Sequence, residues 1–94
     1  MDIAERLRAL VACNSVSSIN AELDHGNRGI IDLLANWAAD LGFDVEIQPL
    51  ADPRKANLIA TLGRGPGGLV LAGHADTVPC DPQLWRSDPF VLTS

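Results

Sequence analysis

Apolar and polar positions change their period along the chain. Ile3, Leu7, Leu10 and Val11 fall at i, i+4, i+7 and i+8, one face of a 3.6-residue repeat. They predict a helix running to about Ala12. Asp2 followed by Glu5 has capping-box spacing, with Asp in place of Ser or Thr. Arg6 and Arg8 fall off the stripe, on a face expected to meet solvent. The polar run Asn14 to Asn20 reads as a loop. Ile30, Ile31, Leu34, Trp37, Ala38 and Leu41 form a second, longer helical stripe, with Asp32, Asn36 and Asp40 opposite. Gly42 sits where a helix-terminating glycine belongs. The helix start has three candidate caps, Asn20, Asp24 and Asn27, and Gly26 and Gly29 should weaken its first turns.

Beyond Gly42 the period becomes two. Phe43, Val45 and Ile47 alternate with Asp44, Glu46 and Gln48, so one face of a strand is buried. Pro49 to Lys55 reads as a loop and Asn57 to Leu62 as a second strand. Leu69 to Ala72 is continuously apolar, the pattern of a central strand covered on both faces. Gly63 to Gly68 lies between these two strands. It lacks the Gly-Lys-Ser/Thr of a phosphate-binding loop and precedes a strand, so it reads as a turn joining antiparallel strands. Cys80 to Ser94 carries two prolines, both in Asp-Pro pairs, and no period, and is expected to be extended and irregular. The element order predicts an α/β fold, two helices packed on a mixed sheet of about three strands.

The composition narrows the functions available. Twelve acids against seven bases give a formal charge of −5, with Lys55 the sole lysine. Nucleic acid is therefore not an expected partner. No apolar run approaches the ~20 residues of a bilayer span. The acidic start Met1-Asp2-Ile3-Ala4-Glu5 is unlike a secretory leader, so the cytoplasm is the expected compartment. A folded chain of this size should bury roughly 64% of its unfolded surface. Cys13 and Cys80 have no metal-binding spacing and are expected to be free and buried. With two histidines, His25 and His74, a metal centre made wholly of this chain would be short of ligands.

One constellation carries chemistry. His74-Ala75-Asp76 follows the apolar run Leu69 to Ala72, and ligands collect at strand ends in α/β sheets. Extended backbone puts residues i and i+2 on one side, so the imidazole and the carboxylate can meet. A metal-ligating histidine usually donates its other ring N–H to such a carboxylate. Gly73 allows close approach to the backbone. By spacing alone, a buried, hydrogen-bonded structural histidine explains the pattern better than a functional one.

The wider context adds a resemblance. Gly73-His74-Ala75-Asp76-Thr77-Val78-Pro79 and Trp85-Arg86-Ser87-Asp88-Pro89-Phe90-Val91-Leu92-Thr93 resemble the start of the dinuclear-zinc amidohydrolases of peptidase family M20, the aminoacylase/carboxypeptidase G2 group. The Ser15 to Ser18 loop, Leu41-Gly42-Phe43 and Asn57-Leu58-Ile59-Ala60 agree with it, so the resemblance spans essentially the whole chain. It implies that His74 is a zinc ligand and that Asp76 is the carboxylate of the catalytic site that orients it. The implied cofactor is a pair of divalent metal ions, zinc or cobalt, and the implied substrate is a small N-acyl amino acid. Water activated by the metals would attack the amide.

The family's bridging aspartate, glutamate pair, later carboxylate and distal histidine match nothing here, and His25 matches no family motif. Residues 1–94 are thus expected to be the N-terminal part of a catalytic domain. The rest of that domain and a dimerising lid would lie in further sequence, and a strand would continue at Ser94. The parent is expected to be a homodimer, and the 94 residues alone to be inactive and prone to self-association. The competing reading is a stand-alone, non-catalytic α/β binding module, which an Asp-bearing motif and a Glu-Glu pair beyond Ser94 would exclude.

Overall fold

The computed structural model describes residues 1–93. Helix α1 is Ile3–Ala12, as the stripe predicts. Its capping box is complete: the Glu5 amide donates to Asp2 Oδ1 at 2.8 Å and the Asp2 amide to Glu5 Oε2 at 3.1 Å. No α1 residue is fully buried. Arg6 does not simply face solvent. Its guanidinium lies 5.4 Å from the centroid of the Trp37 ring, a cation–π contact that ties α1 to the second helix.

Helix α2 is Arg28–Asp40, and it buries Ile30, Ile31 and Ala35. It ends in a Schellman motif: Gly42 donates to Ala39 O at 3.0 Å and Phe43 to Ala38 O at 3.0 Å. Gly42 has φ +91°, which explains the glycine. Asn27 is the N-cap, but its side chain caps nothing. Instead its amide exchanges two hydrogen bonds with the backbone of Ala56, at 2.9 and 3.1 Å. A side chain thus imitates a strand partner, joining the start of α2 to the sheet.

Strands β1 (Asp44–Pro49) and β2 (Ala56–Thr61) pair antiparallel, with Val45 opposite Ala60 and Ile47 opposite Leu58. Those pairs face α2, which packs on both strands. Asp44, Glu46 and Gln48 face outward, as the alternation predicts. The intervening loop is held by charge. Asp24, whose side chain is 11% exposed, takes Lys55 Nζ at 3.0 Å and Arg54 Nη2 at 3.5 Å. Arg54 also pairs with Asp52 at 2.7 Å. The Lys55 hydrogen bond and the Ser18 amide lower the Asp24 pKa, and the Arg54 guanidinium lowers that of Asp52 to about 2.

Gly26 does not belong to the helix. It is buried against this loop at φ +86°, and a Cβ there would sit 2.4 Å from Arg54 O.

Three expectations change. The sheet has two strands, because Leu69 to Ala72 pairs with nothing among the described residues. Leu69, Val70 and Leu71 are 84%, 88% and 87% exposed. An apolar run becomes a central strand only with a ladder neighbour on each edge and cover on each face, and β1, β2 and one helix supply neither. Consequently Gly63 to Gly68 joins no second strand. Only α2 packs on the sheet, since two six-residue strands are covered by a single helix. Finally, Phe90 to Thr93 is not a strand: the Val91 amide donates to Asp88 O at 3.2 Å, closing a turn. Ser94, where a continuing strand is expected, lies outside the described residues.

The buried apolar set is Val16, Ile30, Ile31, Ala35 and Ala56. The accessible surface is 7312 Å², against about 5200 Å² for a folded monomer of this mass. About half of the unfolded surface is therefore buried, less than the roughly 64% expected from length alone. Cys13 is half-buried and Cys80 exposed, both free, so burial of the second thiol is not realised. Among the described residues no helix is long and apolar enough to cross a membrane.

Candidate functional site

The segment Gly73 to Pro79 is irregular, and one short parallel bridge, Val16 with Thr77, fixes it to the body. The Thr77 amide donates to Ser15 O at 3.0 Å, and the Ser17 amide to Thr77 O at 2.9 Å. On the other side of the same residues, His25 and Gly26 donate to Val16 O at 2.9 and 3.1 Å. Ser15 to Ser17 is therefore a short extended rung between the loop that carries the site and the turn that starts α2. The Ser15 hydroxyl adds a bond to Ala75 O at 2.7 Å.

His74 and Asp76 emerge side by side from this anchored backbone. Nδ1 of His74 lies 2.9 Å from Asp76 Oδ1 and 3.2 Å from Asp76 O. Both neighbours are acceptors, a carboxylate oxygen and a carbonyl oxygen. Nδ1 therefore carries the proton, and Nε2 holds its lone pair free. The His74 side chain is 83% exposed and that of Asp76 50%, so the free nitrogen faces open space. That arrangement is opposite to a buried structural histidine.

His74 borders two clefts. One mixes polar Ser17, Asn27, Lys55, Asn57 and Asp76 with apolar Ile31, Leu34 and Leu58. The other is lined by Leu10, Val11, Val78, Trp85 and Phe90, and is apolar.

The donor set fits one ligand of a metal and the carboxylate behind it. Among the described residues no group of three or more His, Cys, Asp and Glu side chains could hold a metal ion. His25 stands apart: its Nδ1 lies 3.1 Å from Gly26 O, in the turn before α2. Ser15, Asn27 and Lys55 were not visible as site residues in the sequence. Ser15 sits within a run of polar residues, and nothing local distinguishes a buried serine from an exposed one. Its signal is a partner 60 residues away.

No protein-family model matches the chain. Among curated proteins it is similar to acetylornithine deacetylase of Photorhabdus laumondii, 52% identical over 95% of this chain and 23% of that protein. It is also similar to acetylornithine deacetylase of Klebsiella pneumoniae, 54% identical over 95% of this chain and 24% of that protein. The protein of the same name from Proteus mirabilis is 53% identical over 95% and 23% respectively. The chain thus spans about a quarter of the length of the curated relatives it matches.

Proposed function

We propose, proceeding from that likeness, that residues 1–94 form the N-terminal part of the catalytic domain of a metal-dependent amidohydrolase of the M20 kind. Its reaction is hydrolysis of N-acetylornithine to ornithine and acetate, a cytoplasmic step of amino-acid biosynthesis. The observation that carries the reading is identity of 52–54% to acetylornithine deacetylases over 95% of the chain.

His74 offers Nε2 to one of two divalent ions, zinc or cobalt. Bound metal supplies polarisation of the amide carbonyl and activation of water near neutral pH. Asp76 accepts the Nδ1 proton of His74, which fixes the tautomer and raises the basicity of the ligating nitrogen. The cleft beside His74 that has Lys55 and Asn57 on its wall receives the acyl amino acid. The remaining ligands and the general base belong to sequence that the longer relatives have in addition to the matched stretch. The complete protein acts as a homodimer, and residues 1–94 alone are inactive because one imidazole and one carboxylate supply neither a base nor a polarised carbonyl.

The test is turnover with a substrate panel by the protein at its natural length. N-acetylornithine should be preferred over N-acetylcitrulline and N-succinyl-diaminopimelate, and chelation should abolish activity. Equal turnover of all three would reduce the reading to a general deacylase. Turnover by residues 1–94 alone, lost in His74→Ala, would overturn the division of the site.

A further inference from the structure

The exposed His74–Asp76 pair does not organise itself. Ion pairs and hydrogen bonds between solvent-exposed side chains are worth little and hold no fixed geometry. The pair's separation must therefore be set by the backbone beneath it, above all by Ala75, the residue between them. That backbone is held from one side by a single buried polar group. The Ser15 side chain is 1% exposed. A buried hydroxyl must find a partner, and this one donates to Ala75 O at 2.7 Å. The Ser15 carbonyl accepts from Thr77 N at 3.0 Å, so Ser15 grips both sides of Asp76.

We infer that Ser15 is a positioning residue for the metal-binding histidine. Its hydroxyl fixes the turn at Ala75, and so holds the Asp76 carboxylate on Nδ1 of His74 and leaves Nε2 as the ligating nitrogen. This role rests on the proposed function for its purpose, but the geometry it sets can be read without metal.

The experiment labels the metal-free natural-length protein with 15N-histidine and reads the tautomer of His74 at a pH where the ring is neutral, with His74→Asn assigning the resonances. The unsubstituted protein should be predominantly Nδ1–H at His74. Ser15→Ala should shift the ratio toward that of Asp76→Ala, and Ser15→Thr, which keeps the hydroxyl, should restore it. Ala35→Gly, which weakens the core elsewhere, should lower the melting temperature and leave the tautomer unchanged. If Ser15→Ala does not fold, Ser15→Cys, a weaker donor, should give an intermediate ratio. An unchanged ratio in the folded Ser15 variants, or an equal change in Ala35→Gly, overturns the inference. Zinc titration followed at Nε2 addresses the underlying reading separately. The resonance should move in the unsubstituted protein and need roughly 10-fold more zinc in Ser15→Ala, the lower end of the usual effect of groups that orient a ligand. If zinc never moves Nε2, metal ligation fails while the tautomer result still reports on Ser15.

Discussion

At the scale of single residues, His74 and Asp76 differ in kind although they touch at 2.9 Å. On the proposed function, His74→Ala in the natural-length protein takes away the nitrogen offered to a metal, and elemental analysis should find one ion lost or loosely held. Asp76→Asn keeps the shape but not the charge, and should cost roughly 10–100-fold in metal affinity or activity. Two tightly held ions and normal turnover in His74→Ala would contradict the assignment. Gly26 makes a different residue-scale statement. Its φ of +86° and the 2.4 Å approach of Arg54 O to a Cβ position leave no room for alanine. Gly26→Ala should cost about 1–3 kcal/mol from backbone strain before any overlap is counted. Gly42→Ala, with nothing within 4 Å of its Cβ, should cost only the left-handed backbone penalty of about 1–2 kcal/mol. Denaturant midpoints for the two variants measure the contrast, and equal losses would show that the close approach at Gly26 relaxes.

Elements are joined here by loops more than by a large core. The Asp24, Asp52, Arg54 and Lys55 cluster links the turn before α2 to the β1–β2 loop. Both carboxyls have pKa values lowered by their cationic partners, that of Asp52 to about 2. Groups whose folded pKa is depressed contribute stability above the unfolded value, 3.8, and lose it as pH falls. Thermal stability should therefore fall between about pH 5 and pH 2. Asp52→Asn should flatten the lower part of that decline, and salt should reduce it, because these pairs are partly exposed. Melting temperatures across pH 6 to 2 in low and high salt decide this. A profile identical in Asp52→Asn would assign the loss to other carboxylates.

For the whole molecule, the radius of gyration is 15.2 Å, against about 12.4 Å expected for a compact domain of this length. No residue from 62 to 93 is buried, and Leu69, Val70 and Leu71 are exposed in a row. An uncovered apolar segment next to free strand edges is a template for pairing with another chain. Net charge of −5 opposes this, but repulsion is screened beyond ~8 Å at physiological salt while pairing acts at contact. Purified residues 1–94 should associate at micromolar concentration, and Leu69→Lys with Leu71→Lys should reduce it. Light scattering giving a clean 10.0 kDa species with no dye-accessible apolar surface would refute the expectation.

Local regularities were legible because local interactions decide them. The capping box at Asp2 and Glu5, the α2 stripe, the terminating Gly42 and the alternation of β1 depend on neighbours within a few residues. The His74-x-Asp76 contact was legible for the same reason, since two residues of extended chain suffice to make it. The fate of Leu69 to Ala72 was not legible, because a continuous apolar run states a demand for partners and cannot state whether they are present. Nor were the buried hydroxyl of Ser15, the Asn27 side chain bonded to the Ala56 backbone, or the packing of Gly26 against Arg54. Each depends on a contact made across 28 to 60 positions, which only the closing of the chain upon itself creates.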